Sequence, residues 1–208
     1  MSENKVQFNL KNVHYALLTE GSTNAWGSPV AVKGAVSLSL DANGSDNTFY
    51  ADGVAYYKSY VNNGYSGSLE MARLTDKMLK DIWGITEGAT DKVLYEKAGV
   101  EPKPFALLFQ IDGDAENEYY CFYRCLAGRP GVSANTVTDS KDPETQSCDI
   151  SALPLITGSD AQIDLIKART TKDTPTATKS AWFSAVQVPE EEDDDDEDEE
   201  EETPSGNL

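Results

Sequence analysis

Long apolar runs are missing from this 208-residue chain, and so is any surplus of positive charge. No stretch approaches the ~20 consecutive apolar residues of a membrane-spanning helix, and Met1 to Leu10 has charged and polar residues throughout and no apolar segment of signal-peptide length. The expectation is a protein made and kept in the cytosol, with no membrane partner. Seventeen basic residues face 36 acidic ones, a net charge of −19. The lack of a basic patch to neutralise phosphates argues against ordinary nucleic-acid binding. One histidine, His14, stands without partners and reads as a structural ring. Three cysteines are an odd count. Cys121 and Cys125, four apart on an expected strand, would lie roughly 13 Å from each other at ~3.3 Å per residue, too far for a disulfide. All three read as small buried hydrophobes. Neither a Gly-rich phosphate loop, nor a Ser/His/Asp set, nor a metal-ligand cluster appears, so no cofactor and no enzymatic activity are expected.

Charge divides the chain in two. Glu190 to Glu202 is an unbroken run of acids, and the 189 residues before it carry only 23 acidic against 17 basic residues. A folded domain over 1–189 and a disordered acidic tail over 190–208 follow, because a segment without apolar residues buries nothing and repels itself. The body is long enough for one real core, burying about 70% of its extended-chain surface.

The patterning of that body is of strands. Thr48 to Tyr50 and Val54 to Val61 are aromatic and β-branched, and Asp52-Gly53 between them is hairpin-turn chemistry. A second turn is expected at Asn62-Asn63-Gly64. Beyond it, Tyr65, Gly67, Leu69 and Met71 fall on one strand face and Ser66, Ser68 and Glu70 on the other. Val36, Leu38 and Leu40 alternate likewise with Ser37, Ser39 and Asp41. Thr75 is placed to cap a helix carrying Met78, Leu79, Ile82 and Trp83 as one apolar stripe, with Gly84 as its left-handed stop. Asn12 to Thr19, Phe105 to Asp112, Glu118 to Leu126, Gln146 to Leu153 and Ile163 to Ala168 read as further strands, and residues 1–11 as a polar arm. Asp112, Asp114 and Glu116 look superficially like a calcium loop, but the glycine and distal glutamate are misplaced and a hairpin turn fits better. Trp182, Phe183 and Val186 suit a last short helix or an extended clip. The fold class is mainly β: two packed antiparallel sheets, one flanking helix at about 75–83, and a long hairpin loop at about 42–64.

That loop holds Phe49, Tyr50, Tyr56, Tyr57 and Tyr60, more aromatic surface than one small hairpin buries against itself. Two readings stay open: the rings fold back onto their own core, or they are buried only against another subunit.

Phe49-Tyr50-Ala51-Asp52, then Gly64 to Glu70 (GYSGSLE), then a short helix closing on Trp83-Gly84, followed by Pro104 to Phe109, Asp112-Gly113-Asp114, Cys125 with Arg129-Pro130, and Ile150 to Pro154, come in an order that resembles the major tail (tail tube) proteins of long non-contractile-tailed phages of Gram-positive bacteria. The resemblance covers roughly residues 5–170. It implies the tail tube fold and a structural virion protein: hexameric rings stack into a tube that conducts DNA from capsid to host cell. It further implies the tape measure, tail terminator and distal tail proteins as partners beside the chain itself. Phe49, Tyr50, Asp52, Tyr56, Tyr57 and Tyr60 would then form the ring-stacking loop. Alternation does not fix which strand face meets the lumen; with the polar faces inward, Ser37, Ser39, Asp41, Ser66, Ser68 and Glu70 would face it, where DNA passes without specific binding. A β-sandwich adhesin or carbohydrate-binding module, and a secretion-system tube protein, are the alternatives.

Overall fold

The computed structural model describes residues 3–136 and 143–189. The acidic run, and with it the expected disordered tail, lies outside the described residues. Among the described residues strand accounts for 47% and helix for 8%, so the class is mainly β. In chain order the elements are β1 (Gln7–Thr19), β2 (Ala25–Trp26), β3 (Val30–Ala31), β4 (Ala35–Ala51), β5 (Val54–Met71), α1 (Asp76–Trp83), β6 (Thr86–Glu87), β7 (Leu94–Tyr95), β8 (Phe105–Gly113), β9 (Glu118–Ala127), β10 (Gln146–Ala152), β11 (Lys167–Arg169) and α2 (Thr176–Ala181).

Instead of two packed sheets, nine strands form one hydrogen-bonded sheet in the order β2-β1-β8-β9-β10-β5-β4, with β3 added to β1 and β11 to β9; β6 and β7 make a small second sheet. Every pairing is antiparallel. Register shifts between β1 and β8, β8 and β9, and β4 and β5 interrupt the ladders. Such bulges bend strands and add twist. The sheet curls far enough that Leu10 of β1 and Leu38 and Leu40 of β4, from opposite ends of the strand order, line one cavity.

One curled sheet needs cover on both faces, because β8 and β9 are apolar on both. On the inner face Tyr15, Leu69, Met71, Phe105, Leu107 and Ile150 pack with Met78, Ile82 and Trp83 of α1. Burying Met78 or Ile82 contributes about 1.5–3 kcal/mol each. The helix is delimited as its sequence dictates: Thr75 Oγ1 accepts the Met78 amide at 3.2 Å, and Gly84 takes the left-handed conformation at φ 64°. Trp83 Nε1 donates to the Ala127 and Gly128 carbonyls, fixing α1 to the end of β9. On the outer face Ala16, Leu18, Leu108, Cys121 and Tyr123 pack against Leu155 and Trp182. Trp182 directly follows α2 and donates to the Tyr120 carbonyl at 3.3 Å. All three cysteines are buried and unbridged. Burial pushes their thiols up, Cys148 to about 11 and the other two further, so they are poor nucleophiles.

Four further expectations change. The N-terminal arm is not free: β1 begins at Gln7, pairing with Gly113, and Asn4 Oδ1 accepts the Ala115 and Glu116 amides at 2.9 Å each. The 114–117 turn leaves amides that need acceptors, which Asn4 Oδ1 supplies, while Asp114 Oδ1 in turn accepts the Lys5 amide at 2.7 Å. Asn62-Asn63-Gly64 is not a turn but an interior part of β5, where a register shift against β4 absorbs the irregularity. Val36 does not join Leu38 and Leu40; it falls at the Ala35/Ser37 register shift and is exposed. The last strand is only Lys167–Arg169, because 160–164 turns back to pair Asp164 and Leu165 with Leu155.

Candidate functional site

Two surfaces of the β4–β5 ribbon stand out, one polar and flat, the other aromatic and projecting. Where the ribbon lies in the sheet, Ser37 is opposite Glu70, Ser39 opposite Ser68, and Asp41 opposite Ser66. The six residues assigned to a polar face are therefore gathered there as three cross-strand pairs. Next in the sheet, β10 continues each row: Ser147 beside Glu70, Asp149 beside Ser68, Ser151 beside Ser66. The result is a nine-residue grid of hydroxyls and three carboxylates, without a basic side chain in it, on the face opposite Leu69, Met71, Cys148 and Ile150. Alternation in the sequence marks Ser147, Asp149 and Ser151 as a polar face, but nothing local says that β10 lies against β5.

The grid is held in register. Thr145 Oγ1 donates to Glu70 Oε1 at 2.6 Å and Ser37 Oγ to Oε2 at 2.8 Å. These two hydrogen bonds, Thr145 first, hold the Glu70 carboxyl below the usual carboxylate range. Gly67 lets the strands close up, since a Cβ there would stand 1.8 Å from the Ser39 carbonyl oxygen.

Past Tyr65 the third strand ends, because β10 pairs no further than Ala152 with Tyr65. Among the described residues the ribbon is two strands alone from Gly44 to Val61. It projects roughly 25 Å at ~3.3 Å per residue. Asp52 and Gly53, at φ 53° and 77°, form its tip. Both central residues are left-handed, as the hairpin turn that matches strand twist requires. Phe49 stands opposite Tyr57. Asp46 pairs with Lys58 at 2.9 Å, and Lys58 lies 5.0 Å from the Tyr60 ring.

The rings do not fold back onto the core. Phe49, Tyr50, Tyr56, Tyr57 and Tyr60 are each more than half exposed, Tyr56 and Tyr60 about three-quarters, and Val54 and Val61 join them. Aromatic side chains offer about 150–250 Å² each. Five of them, about two-thirds exposed, exceed the few-hundred Å² apolar patch that a soluble monomer ordinarily carries. A lone two-stranded ribbon is also only marginally stable in water.

Elsewhere the side chains that the sequence singles out for possible chemistry are committed to structure. His14 stacks on Phe183 at 4.7 Å. Asp112 pairs with Lys11 at 2.6 Å, and Asp114 accepts the Lys5 amide. Among the described residues no group of three or more His, Cys, Asp or Glu is placed to hold a metal ion, and no helix is long and apolar enough to cross a membrane. No protein-family model matches the chain, and no curated protein matches it.

Proposed function

We propose that this protein is a phage tail tube subunit: a structural virion protein whose hexameric rings stack into the tube that conducts DNA from capsid to host. The observation that carries the reading is the projecting arm, whose aromatic surface is left in water by a single chain. A buried aromatic patch is what interface cores are made of. The sequence resemblance over roughly residues 5–170 supports the same reading, with the curled sheet and α1 as the tail tube fold. So does the edge of β4, the last strand in the sheet order, which ring closure would pair.

In this reading the polar grid lines the channel. Ser37, Ser39, Asp41, Ser66, Ser68 and Glu70, with Ser147, Asp149 and Ser151 added, present hydroxyls and negative charge to passing DNA. Repulsion keeps the DNA moving, whereas a basic lining would bind phosphates by counterion release. Ring-on-ring stacking is a heterologous contact that does not close, so one small protein builds a long tube. Its neighbours at the tube's inside and ends are the tape measure, tail terminator and distal tail proteins.

Negative-stain microscopy of concentrated purified protein is the test. Rings or tubes with a central channel are expected. Isolated particles at every concentration, with no channelled assembly, would reject the reading.

A further inference from the structure

The mouth of the curled sheet is open and apolar. Phe8 and Leu10 of β1, Leu38 and Leu40 of β4, Tyr65 of β5 and Phe122 of β9 are among the residues lining a cavity of about 490 Å³. That is within the roughly 300–1,000 Å³ of clefts that hold an occupant. Phe8 is 68% exposed at its rim. Lys167 stands at the mouth with its ammonium 4.3 Å from the Tyr65 ring, and among the described residues it has no carboxylate partner.

The same chain carries an apolar knob of matching chemistry that cannot reach this cavity. β4 runs unbroken from Ala35 to Ala51, so Phe49 is nine residues of extended strand beyond Leu40. At ~3.3 Å per residue it stands about 30 Å away, and folding it back would break the ribbon. The tip also carries an exposed carboxylate, Asp52, which pairs with no cation among the described residues, whereas Asp46 further down the arm already holds Lys58. One unpaired anion on the knob therefore matches one unpaired cation at the cavity mouth.

We propose that the cavity between β1 and β4 receives the arm tip of a second copy of this chain, with Tyr56 and Tyr57 seated among Phe8, Leu38, Leu40 and Tyr65, and Asp52 meeting Lys167. The contact is heterologous: each copy gives its tip to one neighbour and takes the tip of another, so the chain of contacts propagates. It rests on the tube reading above and adds to it the receiving site and the charge pair that sets the register. Closing the cavity mouth also desolvates Lys167 and Asp52 together, which raises the weight of their pairing.

Cysteine pairing in the full-length protein tests the contact directly. A Tyr56→Cys chain is mixed with a size-tagged Phe8→Cys chain and oxidised with diamide; the native thiols are buried and should stay silent. A covalent heterodimer is expected well above that of Tyr56→Cys mixed with Thr90→Cys, Thr90 being an exposed residue outside the cavity lining. Charge exchange is the second arm. Asp52→Lys or Lys167→Asp alone should weaken self-association at low salt by about tenfold, and the two combined in one chain should restore it. Channelled tubes without the specific heterodimer and without charge rescue would overturn the receiving site while leaving the tube reading intact. Heterodimer and rescue without any channelled assembly would uphold the contact and reject the tube.

Discussion

Ser37 and Glu70 face each other across the β4–β5 ribbon, the serine hydroxyl donating to the carboxylate at 2.8 Å while Thr145 holds the other oxygen at 2.6 Å. The carboxyl is thereby held below its ordinary range, Thr145 being the larger cause. A depressed carboxylate stabilises the fold fully above its unfolded value and loses that contribution as pH falls through the lower folded one. Carbon-detected NMR titration should give Glu70 a low midpoint, raised more by Thr145→Val than by Ser37→Ala. An unchanged midpoint in Thr145→Val would mean that the threonine does not hold it.

Tyr15 and Asp81 make the corresponding link inside the core. The buried Tyr15 hydroxyl donates to Asp81 at 2.7 Å and ties β1 to α1. Desolvation pushes the Asp81 carboxyl up, but Lys77 and Tyr15 together outweigh it and its net shift is downward from 3.8. Tyr15→Phe should cost about 1.5–3 kcal/mol in urea denaturation at neutral pH, as for a hydrogen bond to a charged group. The sign for Asp81 is that of a depressed acid: the deficit should shrink as pH falls below 3.8 and through the folded value. A deficit independent of pH would point to packing alone.

Gly67 is a position where the strand spacing itself can be tested. An added methyl would meet the Ser39 carbonyl oxygen at 1.8 Å, and that oxygen is backbone. Gly67→Ala should therefore cost about 1–3 kcal/mol, as overpacking does. Gly131→Ala, with nothing within 4 Å of the new atom, should stay within about 0.5 kcal/mol of the parent. Equal melting of the two variants would contradict the close approach of β4 and β5.

Shortening Asp46 to Tyr60 to a two-residue turn separates folding from assembly. The arm lends nothing to either core. The shortened chain should melt like the parent as a monomer and fail to elongate. Normal tubes from it would remove the stacking role of Phe49, Tyr50, Tyr56, Tyr57 and Tyr60.

Ser66→Lys with Ser68→Lys probes the channel assignment. A hexameric ring would gain roughly twelve positive charges, each able to neutralise a phosphate. Tubes that assemble should release DNA slowly at low salt and recover as salt is raised, because phosphate binding weakens with ionic strength. Release at the parent rate in low salt would put this face away from the channel.

Local chemistry alone determined a good part of this molecule. The Asp52-Gly53 turn, the α1 boundaries at Thr75 and Gly84, and the face alternation of Phe105 to Asp112 each depend on neighbours within a few residues, and each is found where the sequence puts it. Alternation also put Ser37, Ser39 and Asp41 on one polar strand face and Ser66, Ser68 and Glu70 on another, and the β4–β5 hairpin sets the two face to face. What lies between was decided elsewhere. Asn62-Asn63-Gly64 has the composition of a turn, yet cross-strand hydrogen bonds on both sides carry β5 straight through it, and a register shift absorbs the misfit. Alternation tells which residues share a face but not which strand is the neighbour, so one curled sheet in place of two, and Ser147, Asp149 and Ser151 beside Glu70, Ser68 and Ser66, came only from long-range pairing. The aromatic arm is the same case in reverse: its composition marked it as interface or core, and the absence of a third strand beyond Ala152 left it standing in water.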